Sequence, residues 1–235
     1  MPHELLSVEQ VARYLKLTPQ EVTRLASGGK IPCHKAQGKL QFRKGDVDHW
    51  VESHMADLSD TRLAEIEEGV SAHHGFDSAL MLIMPLVPPT GVVVPLAART
   101  KDAVIRNLVT VAEKADLAYD KADLIENIRQ REELCPTTML PGLAFPHPRH
   151  PLPYDIAESF IIVGRTDSGI PFGDPSGVLT RLFFLICCKD ERTHLHVLAR
   201  LSRMLDEKSL PELMDAPDAD TLRALLQKRE EKAQG

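Results

Sequence analysis

The chain has 235 residues, of which 43% are hydrophobic and 26% are charged, and its formal net charge at pH 7 is −6. This composition is typical of a folded globular protein and excludes a low-complexity or disordered chain. The charge is uneven: residues 1–55 contain eight Lys or Arg and six Asp or Glu, a net of +2, which leaves −8 for the remainder. Only the first segment is therefore expected to favour nucleic acid.

No part of the sequence is expected to enter a membrane. The longest apolar stretch, ALMLIMPLVPPTGVVVPLAA, is interrupted by four prolines and a glycine, and no signal-peptide pattern opens the chain. A cytoplasmic location is predicted. The four cysteines lack the spacing of zinc ligands and are expected to be small core residues.

The first residues carry the pattern of two short helices. Ser7 with Gln10, and Thr18 with Glu21, each form the capping box that begins a helix. Apolar residues then recur on one face after each box, and a turn of about three residues separates the two segments. Gly28-Gly29 ends the second segment. A helix-turn-helix is therefore predicted.

A wing and a third helix are predicted next. KIPCHKAQGKLQFRKGD reads as two strands around a Gln37-Gly38 turn, followed by a helix that contains Val47, Trp50 and Val51. The order of elements in SVEQVARYLKLTPQEVTRLASGGKIPCHK and LQFRKGDVDHWV resembles the excisionase/MerR-type winged helix-turn-helix, over about 50 residues. The resemblance implies that residues 1–55 are a DNA-binding domain, whereas the alternative is a helix-turn-helix used for protein contacts. Its implied base-facing residues are Gln20, Thr23 and Arg24, and its implied phosphate-facing residues are Lys35, Lys39 and Arg43.

Residues 56–84 are expected to form a helical linker. An acidic amphipathic helix is predicted, with Leu63, Ile66 and Val70 on its apolar side and an interruption at His73-His74-Gly75. The paired histidines have no partner ligands at helical spacing, so a solvated linker is favoured over a metal site. A helix of this kind could also pair two subunits, which would make the protein a homodimer.

Residues 85–235 alternate short apolar strands with amphipathic helices. TGVVVPLAA, GLAFPH, ESFIIVGR and TRLFFLICC read as strands, and helices are expected from Thr100, from Asp120 and over ERTHLHVLARLSRML. The pattern predicts an α/β layer domain. At the end of the GLAFPH strand, His147 lies between Pro146 and Pro148, which restrict the backbone around it. This setting suits a reactive group.

The segments QREELCPTTMLPGLAFPHPR and THLHVLARLSRML resemble the enzyme IIA domain of the fructose/mannitol type in the phosphoenolpyruvate-dependent sugar phosphotransferase system, including its nitrogen-regulatory relatives. Arg131 precedes His147 by 16 residues and His194 follows it by 47, which are the offsets of that family. The resemblance implies a mixed sheet flanked by helices. It also implies a phosphoryl group that reaches His147 from an HPr-type phosphocarrier and, in sugar uptake, passes to a IIB domain.

The chemistry of these residue types agrees with the resemblance. A neutral imidazole is nucleophilic near pH 7, an arginine neutralises phosphoryl charge, and a helix start such as that of His194 favours an anion. Thr137 and Thr138 are candidate hydroxyl donors to the phosphoryl group. No Walker glycine loop is present, so ATP is not the expected donor, and neither a cofactor nor a metal is expected. The alternative is a metal site that joins His147 and His194 with His150 and His196.

The sequence therefore predicts a phosphoryl-accepting regulatory protein whose phosphorylation on His147 changes what the front module does on DNA. The alternative is a plain phosphoryl carrier in sugar uptake with a vestigial helix-turn-helix. The expected partners are an HPr-type phosphocarrier, DNA, and a regulatory protein or a IIB domain.

Overall fold

The computed structural model describes residues 4–36, 38–55, 58–74 and 82–234. The chain divides into two compact units. The first takes in residues 1–80 and 195–203, and the second takes in residues 81–194 and 204–235. Of the predicted Gln37-Gly38 turn, Gln37 lies outside the described residues.

The first unit confirms the predicted winged helix-turn-helix. A three-stranded sheet in the order β1-β3-β2 accompanies the helices, and both predicted capping boxes are present. The first strand was not predicted; it pairs antiparallel with β3 and closes the wing. Its elements are β1 (Leu5–Ser7), α1 (Val8–Tyr14), α2 (Pro19–Ser27), β2 (His34–Ala36), β3 (Lys39–Arg43), α3 (Lys44–His54) and α4 (Asp60–His74).

The linker helix α4 is longer than the sequence indicated. Its apolar residues Leu63 and Ile66 are buried as predicted, but the helix continues through His73 and His74, where an interruption was expected. Gly75 lies outside the described residues. Two paired histidines are therefore compatible with a helical backbone here, since histidine lowers helix propensity only modestly.

The second unit confirms the predicted mixed sheet flanked by helices. Its five strands have the order β4-β7-β8-β6-β5, with β4 parallel to β7, β6 parallel to β8, and the remaining pairs antiparallel. A 3-10 helix, Met84–Leu86, precedes them. The elements are β4 (Val92–Val93), α5 (Lys101–Lys114), α6 (Lys121–Leu134), β5 (Thr138–Leu140), β6 (Leu143–Ala144), β7 (Phe160–Ile170), β8 (Thr180–Cys187), α7 (Glu191–Met204), α8 (Leu210–Met214) and α9 (Ala219–Gln234).

Local sequence signals explain where the helices of this unit begin. The side chains of Thr100 and Asp120 accept hydrogen bonds from the first turns of α5 and α6. The apolar faces of these two helices pack with buried residues of β7 and β8 in one hydrophobic cluster. Gly142 links β5 to β6 with a φ of 87°, and a Cβ there would lie 2.5 Å from Cε of Met214. Glycine is therefore required immediately before the strand that leads to His147.

The cysteine prediction is half correct. Cys187 and Cys188 are buried, and burial raises the pKa of both thiols. Cys33 and Cys135 are exposed, so the expectation of core residues was wrong for them; each lies in a loop next to a helix or strand. In the described part of the chain, no helix has the length and hydrophobicity that crossing a membrane requires.

Candidate functional site

His147 is held at the end of β6 by backbone contacts on both sides. The Phe145 amide donates to the Thr137 carbonyl at 2.9 Å, and the Ile186 amide donates to the Pro146 carbonyl at 2.9 Å. The segment before the histidine is therefore tied to two neighbouring parts of the sheet. His147 itself is only 3% exposed.

The ring of His147 has a defined tautomer. Its Nδ1 lies 2.7 Å from the Phe145 carbonyl oxygen. A carbonyl oxygen can only accept, so Nδ1 carries the proton. In the neutral ring, the lone pair then lies on Nε2.

His194 is placed beside His147 by the first turn of α7. Asp190 caps this helix: its carboxylate accepts from the amide and the hydroxyl of Thr193, each at 2.9 Å, and its carbonyl accepts the His194 amide at 3.1 Å. The rings of His147 and His194 lie 4.8 Å apart between centroids, tilted by 55°. The two histidines that the sequence separates by 47 residues are thus in contact.

Arg131 is a buried cation in the last turn of α6, with 3% of its surface exposed. Its Nη1 donates to the Cys135 carbonyl at 2.8 Å, across the end of its own helix. The loop that begins at Cys135 leads to Thr137, which accepts the Phe145 amide. Arg131 and His147 are therefore linked through this loop by three hydrogen bonds, which join Arg131 to Cys135, Phe145 to Thr137, and His147 to Phe145.

The predicted hydroxyl donors lie in this loop and at the start of β5. The hydroxyl of Thr137 donates to the Glu132 carboxylate, and its amide donates to the same carboxylate at 3.3 Å. Thr138 is half-buried in β5. Their contact with a phosphoryl group stays a prediction.

Sequence reasoning missed Glu132 and Lys101. The Glu132 carboxylate is buried, and Lys101 Nζ lies 2.7 Å from it. A signal was available: Glu132 follows Ile128 by four residues and Ile125 by seven, so it falls on the buried face of α6. A charged residue on that face requires partners inside the unit.

The other two histidines of the metal alternative have different surroundings. His150 is exposed. His196 is fully buried, and its Nε2 lies 3.6 Å from the Glu67 carboxylate in the first unit. The contact between His147 and His194 is therefore the one that bears on the candidate site.

The residues predicted to meet DNA share one property, which is exposure to solvent. Val22 and Ala26 bury the opposite face of α2, as a helix with one free face requires. Thr23 also donates its hydroxyl to the Pro19 carbonyl at 2.8 Å. The exposed set is Gln20, Thr23 and Arg24 on α2, and Lys35, Lys39 and Arg43 on the wing.

These features define a mixed α/β domain with a buried histidine pair at a strand end, joined to a winged helix-turn-helix. Comparison with known families identifies the α/β part: the profile of the phosphoenolpyruvate-dependent sugar phosphotransferase system EIIA 2 family matches residues 86–229. The chain belongs to this family. A helix-turn-helix domain profile matches residues 5–55.

Two characterised relatives match the same region. The chain is 28% identical over 145 residues to the PTS system fructose-specific EIIABC component of Bacillus subtilis, which covers 60% of this chain and 22% of that protein. It is 28% identical over 149 residues to the nitrogen regulatory protein of Bradyrhizobium diazoefficiens, which covers 62% of this chain and 95% of that one. The chain therefore spans about a fifth of the first relative and nearly all of the second.

Solved structures share the fold of this region. The nitrogen regulatory protein IIA-Ntr from Neisseria meningitidis superposes with a TM-score of 0.55 at 24% identity, covering 61% of this chain and 98% of that one. IIA mannitol from Escherichia coli superposes with a TM-score of 0.52 at 21% identity, covering 58% of this chain and 96% of that one. These likenesses establish the enzyme IIA type 2 fold.

Proposed function

We propose that this protein is a phosphoryl-accepting regulator of the phosphotransferase system, phosphorylated on Nε2 of His147 by an HPr-type phosphocarrier, with DNA binding by residues 1–55 as its output. The observation that carries the proposal is the contact between His147 Nδ1 and the Phe145 carbonyl, 2.7 Å long. It leaves Nε2 as the nucleophile. We place the protein in the cytoplasm, where such phosphocarriers act.

The transfer step requires little from the protein beyond position and charge. The Nε2 lone pair of His147 attacks the phosphorus of a phosphohistidine on the carrier, the phosphorus–nitrogen bond of the carrier breaks, and the electron pair returns to the carrier's imidazole. No proton has to leave Nε2. The product ring keeps its proton on Nδ1, and the Phe145 carbonyl stabilises the resulting positive charge. Arg131 and His194 supply donors to the phosphoryl oxygens.

The DNA-binding part of the proposal is supported by the exposed residues on α2 and the wing. Arg24 is the one cation on α2, and Lys39 and Arg43 extend the basic surface along β3. Few phosphates would be neutralised by one copy, so we expect modest, salt-sensitive affinity. We propose 1–55 as the DNA-binding domain, 56–84 as the linker and 85–235 as the IIA domain.

The linker helix supports coupling between phosphorylation and DNA binding, because it contacts the first helix of the DNA-binding module. Arg62 on α4 donates to the carbonyls of Lys16, at 2.9 Å, and Leu15 at the end of α1. Gly69 approaches the Tyr14 carbonyl so closely that a Cβ could not fit. α4 is therefore attached to α1 at two points along its length.

The same helix holds α7, whose first turn carries His194. The buried Glu67 carboxylate lies 2.8 Å from Arg200 Nε, 2.5 Å from Arg203 Nη1 and 3.6 Å from His196 Nε2. Separating a buried carboxylate from its partners is strongly destabilising, because it leaves an uncompensated buried charge. Since α7 is one continuous helix from Glu191 to Met204, a shift at its first turn would reach Glu67.

Phosphorylation adds negative charge that would favour such a shift. A phosphoryl group adds roughly 1.5 to 2 negative charges near neutral pH, at the start of a helix whose later turns bear Arg200 and Arg203. We propose that this charge alters the position of α7 and, through Glu67 and α4, the DNA-binding module.

The experiment that tests the proposal is phosphorylation by purified components. The full chain is incubated with phosphoenolpyruvate, enzyme I and the organism's HPr-type carrier, and its intact mass is measured. We expect one acid-labile phosphoryl group. An operator is then selected from random DNA, and its affinity for the two forms is compared at fixed salt.

The second candidate, a plain phosphoryl carrier, is favoured by the fructose-specific relative and by the solved complex of enzyme IIA mannitol with phosphorylated enzyme IIB mannitol from Escherichia coli, which this chain resembles with a TM-score of 0.51. Under this candidate, the phosphoryl group passes on to a IIB domain. Equal operator affinities for the two forms, together with rapid transfer to a IIB domain, would establish it.

A further inference from the structure

A buried carboxylate beside the candidate site has no role in the proposed transfer. Glu132 is 4% exposed and occupies the last turn of α6, directly after Arg131. It accepts three donors: the amide and the hydroxyl of Thr137, and Nζ of Lys101 at 2.7 Å. A buried polar group is costly unless it has hydrogen-bond partners, so these three donors fix the carboxylate in place.

Lys101 is itself fixed, so Glu132 is anchored from the side of α5. Its Nζ donates to the Phe172 carbonyl at 3.2 Å and lies 4.8 Å above the Phe172 ring centroid. Lys101 therefore ties Glu132 to the start of α5 and to the segment after β7.

The loop held by Glu132 positions both functional side chains. At one end of the loop, the Cys135 carbonyl accepts from Arg131. At the other end, the Thr137 carbonyl accepts the Phe145 amide, and the Phe145 carbonyl accepts from His147 Nδ1. If Thr137 moved, the displacement would reach the Arg131 guanidinium through its contact with Cys135. It would reach the His147 imidazole through the contacts of Thr137 with Phe145 and of Phe145 with His147.

We infer that Glu132 is a positioning residue: with Lys101, it clamps Thr137 and so sets the tautomer of His147 and the direction of Arg131. The inference deepens the proposed phosphoryl transfer and rests on it. It also gives Thr137 a role different from the phosphate contact that its place in the sequence suggested, because its hydroxyl proton is committed to Glu132.

The variants separate this role from general stability. Glu132→Gln keeps the shape of the side chain and removes its negative charge. Thr137→Val removes only the hydroxyl and leaves the ion pair of Glu132 with Lys101 in place, so it serves if Glu132→Gln does not fold. The matched controls are Glu230→Gln, which alters another buried carboxylate that accepts backbone amides, and Thr180→Val, which alters a buried hydroxyl that has no hydrogen-bond partner among the described residues.

The first readout is the rate of phosphoryl transfer from the HPr-type carrier to the full chain. We expect Glu132→Gln and Thr137→Val to lower the maximal rate about 10- to 100-fold, the scale for small misplacement of reacting groups, with the half-saturating carrier concentration unchanged. The controls should transfer at the parent rate. A folded Glu132→Gln or Thr137→Val that transfers at the parent rate, or an equal slowing by Glu230→Gln, would overturn the inference.

The second readout needs no transfer, so it separates failure of this inference from failure of the proposed function. The ¹⁵N chemical shifts of the His147 ring report which nitrogen carries the proton. We expect the Nδ1–H form in the parent and in both controls, and a mixture of tautomers in Glu132→Gln and Thr137→Val. An unchanged ring spectrum in both variants would refute the clamp even if the protein accepts a phosphoryl group. A parent that accepts none but shows the expected tautomers would refute only the function.

Discussion

The DNA-binding module and the histidine pocket place their candidate functional residues in opposite environments. The six residues predicted to meet DNA are all exposed, on α2 and on the wing. His147, Arg131 and His194 are all buried, with at most 8% of their surface exposed. The first group is open to solvent, as contact with a large partner would require, whereas the second is almost fully buried.

This difference teaches what each region requires of its surroundings. An exposed residue on a helix needs only the correct face, which its own helix supplies through helical periodicity. A buried charged or reactive residue needs partners for its polar atoms, and these come from distant parts of the chain. Changes in the pocket should therefore have larger effects than changes on the DNA-binding surface.

The largest effect is expected at the proposed phosphoryl acceptor. His147→Ala should abolish phosphoryl uptake, because it removes the ring whose Nδ1 is fixed by the Phe145 carbonyl. The measurement is intact mass after incubation with the phosphotransferase components. The control is His150→Ala, an exposed histidine nearby in sequence, which should still gain one phosphoryl group. Full uptake by the His147 variant would remove the assignment.

Next come the residues proposed to donate to the phosphoryl oxygens. Arg131→Ala and His194→Ala should each slow transfer about 10²-fold or more, which is the usual loss when a preorganised charge-stabilising donor is removed. Rapid-quench kinetics with labelled carrier measure the rate. Arg129→Ala is the matched control, since Arg129 lies on the same helix and pairs with Asp102 instead. Parent rates in both variants would mean that the pocket lies elsewhere.

Coupling between the regions should have an intermediate effect. Phosphorylation should change operator affinity about 5- to 150-fold, the range of ordinary allosteric couplings. Gly69→Ala should reduce this ratio, because the added methyl group would clash with the Tyr14 carbonyl and separate α4 from α1. Titration of the selected operator with both forms measures the ratio.

The control for that variant is Gly45→Ala on α3, where a Cβ meets nothing within 4 Å. It should keep the parent ratio. If Gly69→Ala also keeps it, the contact between α4 and α1 does not transmit the signal.

A smaller effect is expected on the DNA-binding surface. Arg24→Ala should weaken operator binding about tenfold and relax sequence preference, as loss of a base contact does. Lys39→Ala should weaken binding to all DNA sequences alike. It should also make the slope of log K against log salt less steep, by about 0.9. Binding assays at several salt concentrations distinguish the two. Identical behaviour of the two variants would contradict the proposed roles of α2 and the wing.

The smallest effect is expected at a helix cap. Ser7→Ala should destabilise the full chain by about 1 kcal/mol, because Ser7 accepts the Gln10 amide at the start of α1. Ser27→Ala, at the exposed end of α2, is the control and should be nearly neutral. Urea unfolding followed by circular dichroism measures both. A loss in the control as large as that in Ser7→Ala would show that the cap contributes nothing specific.

Much of the fold could be predicted because its signals are local. The capping boxes of Ser7 and Thr18 and the caps at Thr100 and Asp120 each depend on residues within one turn of the helix that they begin. β1 was missed because three residues carry no periodicity, and its pairing with β3 is the only thing that makes it a strand. The short helix α8 was missed because its five residues are too few to show helical periodicity.

The candidate site shows the same limit at the level of side chains. The family resemblance implied that Arg131, His147 and His194 share one site, and the structure brings the two histidine rings into contact. The role of Glu132 could not be predicted, since it depends on Lys101, thirty-one residues earlier, and on a loop whose path no local pattern reveals.

The uneven burial of the cysteines has a practical consequence for measuring motion. Cys33 is an exposed thiol of the first unit and Cys135 an exposed thiol of the second, while Cys187 and Cys188 are buried with raised pKa values and should react slowly. The natural chain therefore already contains one attachment point on each unit for a nitroxide spin label. Pulsed dipolar spectroscopy on the doubly labelled protein would give the distribution of distances between the units, before and after phosphorylation, without any substitution.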